Sequence, residues 1–374
     1  MAPLPPQPED SKTVQAIYAW HESRRETRPR TYLGLSGLGH SCARKLWYDF
    51  RHCGQPEFSG RMLRLFETGH LAEFRFVDEL RGIGCEVYDT DPNTGEQFAV
   101  QAHGGHVRGH LDGCAKGLPE APETFHVTEY KTHSSKSFAH LKKNGVKASK
   151  PMHYAQMVCY MHLTGMRRAF YLAVNKDTDE LYSERLRYED CQDDAQRLMD
   201  RAERIVKAAQ PPERIGDSAD HFNCKWCDHA DRCHGTDAVG PAVRCGTGCR
   251  TCVHSTPEMD TEDGRWSCKQ HHVTLTIEKQ AVGCEDHLFI PDLITFAEPI
   301  NSDKDKDGDW IEYENQDGTR WRNCKSGGNY SSLELTELPK SLIGAGAFAD
   351  MKEVFGDDIQ VERIRQDDNE TDSR

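Results

Sequence analysis

Glu129-Tyr130-Lys131 carries the densest chemistry in the chain. It falls in a run, Phe125 to Thr132, that reads as a β-strand, where side chains two apart share a face. Glu129 and Lys131 therefore project together, a carboxylate able to hold a divalent metal beside an amine able to orient or activate water. Earlier in the chain, Gly109-His110-Leu111-Asp112-Gly113 places Asp112 near the end of a second strand. Two hard carboxylate oxygens arriving from adjacent strands suit magnesium or manganese, with the Tyr130 carbonyl as a further oxygen. Gly69-x-x-x-Glu73 offers another carboxylate, with His70 beside it. Gln156-x-x-x-Tyr160 puts an amide and a phenol one turn apart on one helix face, both suited to bonding phosphate or water. Each has a bland reading alone: a charged strand face, an Asp-Gly turn, a surface glutamine, a core tyrosine. What ties them together is their order: helix carboxylate, strand Asp, strand E-x-K, helix Q-x-x-x-Y.

The fifteen cysteines cluster late in the chain. In a long chain with no export signal, clustered cysteines bind metal more often than they pair as disulfides. Cys224-x-x-Cys227-x5-Cys233 supplies three thiolates, and Cys42 is the candidate fourth. Spacing alone does not separate zinc from iron–sulfur, since both accept four cysteines. Cys249-x-x-Cys252 followed by Cys268 and Cys284, with Cys245 just upstream, reads as a structural zinc module. His254, His271, His272 and His287 are substitute ligands, expected instead at the surface. Cys53, Cys85, Cys114, Cys159, Cys191 and Cys324 read as scattered structural cysteines. Asp303-x-Asp305-x-Asp307-Gly308 with Glu314 nearly fits a calcium loop. Trp310 and the lack of flanking helices make a solvated turn the preferred reading.

The elements that must hold these groups follow from periodicity. Helices are expected over 11–26, from an N-cap at Ser36 through Phe50, and over 61–81 with Leu65, Phe66, Leu71, Phe74, Val77 and Leu80 as its apolar stripe. Strands are expected over 85–88, 97–101, 107–114 and 125–132, then helices over 135–143 and 151–164. A strand pair at 168–174 and 181–188 precedes a helix over 189–209, stopped by Pro211 and Pro212. This order suggests a mixed sheet flanked by helices. Trp310, Tyr313 and Trp321 are expected in short strands. The Pro-rich Met1–Asp10 lacks the apolar core of a signal peptide, and no stretch reaches the apolar length of a membrane span, so a cytoplasmic protein is expected. The net charge of −14 argues against coating nucleic acid by bulk charge but not against a nuclease, whose metal-binding carboxylates count as negative. Arg24, Arg25, Arg28 and Arg30, then Lys136, Lys142, Lys143, Lys147 and Lys150, form local basic stretches that solvation alone would explain.

The ordered motif set over about residues 33–235 resembles the PD-(D/E)XK nuclease superfamily in its RecB-like branch, which includes CRISPR-associated RecB-like and many phage exonucleases. The resemblance implies an α/β restriction-endonuclease-like core. It makes Asp112 and Glu129 the metal-binding pair for Mg2+ or Mn2+, Lys131 the catalytic lysine, and Gln156 with Tyr160 the marker motif of the branch. Leu111 stands where many members have proline, and Glu73 where many have histidine; Glu73 is expected to ligand metal. The branch also joins one N-terminal cysteine to three C-terminal ones around a 4Fe-4S cluster, which implies that role for Cys42, Cys224, Cys227 and Cys233. Such a cluster would staple the two ends of the core. The expected organisation is an extension and helix over 1–32, a nuclease core over 33–238, a zinc module over 239–294 and an accessory segment over 295–374 open to a protein partner. The expected activity is DNA hydrolysis, exonucleolytic rather than endonucleolytic, in recombination, repair or phage DNA processing. The rivals are an inactive DNA-binding or assembly subunit on the same fold, and a zinc-stabilised adaptor.

Overall fold

The computed structural model describes residues 11–25, 30–54, 57–236, 240–306, 308–325, 329–346, 348 and 350. The Pro-rich first ten residues, Arg28 and Asp307 lie outside this set. The chain runs through α1 (Lys12–Ser23), β1 (Leu33–Gly34), α2 (Ala43–Phe50) and α3 (Gly60–Gly82). It continues with β2 (Glu86–Tyr88), β3 (Ala99–Ala102), β4 (Val107–His110), β5 (Gly113–Lys116) and β6 (His126–His133). After α4 (Ser135–Ser149) and α5 (Pro151–Thr164) come β7 (Arg168–Asn175), β8 (Leu181–Arg187) and α6 (Gln192–Lys207). The result is the expected mixed α/β arrangement. A five-stranded sheet has the order β2-β5-β6-β7-β8, parallel only between β6 and β7. A second sheet, β1-β4-β3, lies beside it.

The alternation along β6 sorts its side chains between two cores. Val127 belongs to the large apolar cluster that includes Met157, Val158 and Met161 of α5. Tyr130 belongs to a smaller one with Phe76, Val77 and Leu80 of α3. Glu129, Lys131 and His133 thus share the face on which α5 lies.

Three expectations change. The single strand over 107–114 is two strands in different sheets, β4 pairing β1 and β3, and β5 pairing β2 and β6. The crossing between them holds Leu111 and Asp112. Gly113 permits it, with φ of +153° and a position where a Cβ would stand 2.6 Å from the Tyr88 carbonyl. The helix expected from Ser36 starts instead after Cys42, whose Sγ accepts from the Lys45 N–H at 3.4 Å. Gly39 lies before it, where a Cβ would meet the Met152 backbone at 2.7 Å, so this stretch serves close packing against α5 rather than helix. On α3 the apolar stripe is real only at its C-terminal end: Val77 and Leu80 are buried, whereas Leu65, Phe66, Leu71 and Phe74 are exposed. The start of α3 packs on α1, where a Cβ on Gly60 would meet the Tyr18 backbone; α1 itself buries no residue.

The later segments comprise α7 (Ala230–His234), the sheet of β9 (Ser255–Pro257), β10 (Trp266–Cys268) and β11 (Val273–Leu275), and α8 (Ile277–Val282). A meander of β12 (Ala297–Asp305), β13 (Gly308–Asn315) and β14 (Arg320–Asn323) and the helix α9 (Ser332–Glu337) follow. Asp303 and Asp305 lie with exposed side chains on β12, in an antiparallel pair with β13. These segments share one apolar core with the first half of the chain, from Leu33 to Phe348. Arg250 is a pin between them. It is 1% exposed and donates to the carbonyls of Thr31 at 2.7 Å and Phe50 at 2.8 Å and to Gln280 Oε1 at 2.9 Å. Its guanidinium also faces the Phe50 and Trp266 rings at 5.4 and 4.7 Å. Among the described residues no helix is long and apolar enough to cross a membrane.

Candidate metal and phosphate site

The β4–β5 crossing brings Asp112 against the middle of β6. Asp112 Oδ2 accepts from the Tyr130 N–H at 3.0 Å and from Lys131 Nζ at 3.3 Å. Lys131 Nζ also lies 2.6 Å from Glu129 Oε1 and donates to the Tyr130 carbonyl at 2.9 Å. Oxygens of Asp112, Glu129 and Tyr130 thus converge on one cationic nitrogen. The Glu129 carboxylate is fully buried, and neither oxygen has a donor in hydrogen-bonding geometry. Burial raises its pKa to about 8; the Asp112 charge adds to the rise and Lys131 opposes it. The same carboxylates hold the Lys131 ammonium protonated, against the effect of burial. Glu73 faces this group from α3: burial and then the Asp112 charge raise its carboxyl, with partial relief from Lys131 and His70. His70 Nδ1 is 3.5 Å from Glu73 Oε2. A buried carboxylate paired with one ammonium and bonded to no other donor, beside further oxygens sharing that cation, has the donor chemistry of a hard divalent metal site.

Gln156 and Tyr160 stand where helical spacing places them, on one face of α5. Tyr160 donates its proton to the His110 carbonyl at 2.7 Å and receives the Gln156 amide at 3.3 Å. The Tyr160 proton is therefore committed to the strand end that carries Asp112, and the phenol braces the crossing rather than donating to phosphate. Gly109 makes room for it, since a Cβ there would stand 2.6 Å from the ring.

The two cysteine sets are also gathered. Cys42, Cys224, Cys227 and Cys233 line one cavity with Tyr48 and His229. Burial, then Cys233 and Cys42, push up the Cys224 thiol; burial and the Cys42 charge push up Cys227, partly offset by Lys45. Four thiolates that would repel one another around a single space fit a cationic centre. Cys249, Cys252, Cys268 and Cys284 line another cavity, with His271 and Asp286 on its wall. The tightest donor group there is His271, Cys284 and Asp286, whose ligand atoms lie within 4.8 Å of one another. His271 and His272 are exposed as expected. His287 is instead buried against Thr251 at 3.1 Å, and His254 is half-buried. Cys53, Cys85, Cys114, Cys159 and Cys191 are buried thiols.

No protein-family model and no curated protein matches the chain. Among solved structures it resembles the crystal structure of SSO0001, at 13% identity and TM-score 0.36, over 60% of this chain and 96% of that one. It also resembles LHK-Exo in complex with dAMP, at 13% identity and TM-score 0.33, over 51% of this chain and 90% of that one. A further structure, the alkaline exonuclease LHK-Exo from Laribacter hongkongensis, matches at 12% identity and TM-score 0.31 over the same shares. Likeness this distant assigns no function to the chain.

Sequence reasoning missed a group behind Lys131. The Tyr171 hydroxyl lies 2.8 Å from His133 Nε2 and 2.9 Å from His153 Nδ1. Tyr171 pairs with Glu129 in the β6–β7 register and so shares its face. The signals were present: His133 is two residues beyond Lys131 on one strand, and His153 is one helical turn before Gln156.

Proposed function

We propose that this chain is a divalent-metal-dependent deoxyribonuclease with a RecB-like PD-(D/E)XK core, acting as an exonuclease. The observation that carries the reading is the fully buried Glu129 carboxylate, paired at 2.6 Å with the Lys131 ammonium that Asp112 also bonds, at the middle of a sheet strand. Burying a carboxylate costs several kcal/mol, and pairing with a single lysine leaves acceptor sites on Glu129 for a divalent cation, which is the pattern of a functional site.

Asp112, Glu129 and Glu73, with the Tyr130 carbonyl, would hold Mg2+ or Mn2+. When bound, such an ion polarises a phosphodiester and lowers the pKa of water. Lys131 is the group that handles the nucleophile: its ammonium, released from part of its present bonding, holds a water in line with the scissile phosphorus–oxygen bond. Tyr160 fixes the His110 end of β4 and with it the aim of Asp112. Gln156 keeps a second amide N–H for a phosphate oxygen. Lys136 and Lys143 on α4 are exposed beyond the end of β6, where they suit tracking of a DNA backbone.

Cys42, Cys224, Cys227 and Cys233 would hold a 4Fe-4S cluster, joining the chain before the sheet to the chain after it. Cys249, Cys252 and Cys268, completed by Cys284 or His271, would hold structural zinc. The test is end-labelled single- and double-stranded DNA with manganese. Lys131→Ala and Asp112→Ala should each abolish cleavage while leaving the circular dichroism spectrum unchanged; cleavage at the parental rate by either variant refutes the assignment.

A further inference from the structure

His153, Gln156 and Tyr160 occupy positions three and seven apart on α5, so the polar face of this helix is one turn longer than Q-x-x-x-Y. What His153 presents on that face follows from the bonds behind it. Lys150 Nζ, which as an ammonium can only donate, bonds Ser137 Oγ at 2.5 Å. Among the described residues the serine proton has one acceptor within reach, His133 Nδ1 at 3.3 Å. His133 then carries its proton on Nε2 and donates it to Tyr171 Oη. Tyr171, with its lone pair engaged, donates its own proton to His153 Nδ1. Every bond in the chain points one way, and the last proton sits on Nε2 of the partly buried His153 ring, which has no hydrogen-bond partner among the described residues.

We propose that His153 is a phosphate-binding residue, whose neutral Nε2–H, oriented by the Lys150–Ser137–His133–Tyr171 chain, donates to a phosphodiester oxygen of the strand lying on α5. Both rings are held neutral. Burial, then the Lys131 and Lys150 charges, lower His153 to about 3. Burial, then Lys150, Lys131 and Lys176, lower His133 to about 4. A neutral donor adds directionality without adding charge, next to a lysine that already supplies the charge. Three aromatic rings support the alignment: His133, Tyr171 and His153 stack pairwise, with interplanar angles of 26° to 27°. The inference rests on the nuclease reading for its ligand but is tested without catalysis.

The experiment is binding of a fluorescent single-stranded oligonucleotide, with calcium in place of magnesium, across a salt series. His153→Ala should weaken binding about threefold to tenfold, the worth of one hydrogen bond, and leave the slope of log Kd against log salt unchanged. Ser137→Ala, which breaks the chain three bonds away, should weaken it in the same direction but less. Unchanged binding by His153→Ala overturns the proposal. So does a slope smaller by about 0.7, the signature of a lost cation on single-stranded DNA, or a parental protein that binds no oligonucleotide. Should His153→Ala unfold, Ser137→Ala and Tyr171→Phe read the same loss, and parental affinity in both overturns the proposal. A parental protein that binds as described but never cleaves with manganese refutes the nuclease reading and leaves the role of His153 intact.

Discussion

At the scale of single residues, Glu129 decides how the site behaves. Its folded-state pKa, about 8, stands above the ordinary 4.5. In the metal-free protein the folded state therefore binds this proton more tightly than the unfolded chain does. The resulting stabilisation is complete below about pH 4.5 and is lost as pH rises through about 8. A divalent cation competes with that proton. Manganese affinity should accordingly climb from about pH 6 to about pH 8, by close to tenfold per unit if one proton is displaced, and then level off. Calorimetric titration across that range checks it; a flat profile means that Glu129 is not a ligand. Thermal unfolding with and without manganese reads the same linkage: the gain in Tm should grow with pH over this window.

At the scale of elements, much of the frame was legible because it rests on local periodicity. Helices α5 and α6 and strands β6 to β8 fall within a few residues of where alternation and helical spacing put them. E-x-K and Q-x-x-x-Y were legible for the same reason, since a period of two or of 3.6 decides which side chains share a face. What could not be read was pairing between distant segments. Nothing local tells that the run through Asp112 leaves one sheet and enters another, or that Tyr160 closes on His110, fifty positions away. The exposed Leu71 and Phe74 show the same limit, because an apolar stripe is buried only where a partner surface reaches it. The His133–Tyr171–His153 group was invisible as a unit because it joins two strands and a helix. The brace at the crossing predicts that Tyr160→Phe costs about 0.5–1.5 kcal/mol of stability, one buried hydrogen bond. Cleavage should fall by much more than that loss explains, because the aim of Asp112 is relaxed. Chemical denaturation and single-turnover cleavage together measure both. A variant with parental kcat shows that Asp112 is held in place by other contacts.

At the scale of the whole molecule, the first half of the chain and the later segments share one apolar core and are tied by buried cationic contacts. Arg250 is the clearest case. Arg250→Leu strands the Thr31 and Phe50 carbonyls and the Gln280 amide oxygen in the core. A loss of about 2–4 kcal/mol is expected, measured as a lower urea midpoint in the full-length protein. The cluster proposed on Cys42, Cys224, Cys227 and Cys233 would act over a similar span. Cys42→Ala removes the one thiolate contributed from before the sheet, so iron content and brown colour should be lost. Because ligation energy counts as folding energy, Tm should fall by about ten degrees or more. An unchanged absorption spectrum and Tm would place the cluster elsewhere or remove it.

The claim on which the rest depends is that Asp112, Glu129 and Lys131 form one hydrolytic centre. The most direct test is manganese-dependent cleavage of end-labelled DNA by the parental protein and by Glu129→Gln, which keeps the shape of the side chain and deletes its charge. The account predicts mononucleotide release by the parental protein and none above background by the variant. No cleavage by metal-loaded parental protein, or equal cleavage by both, would contradict it.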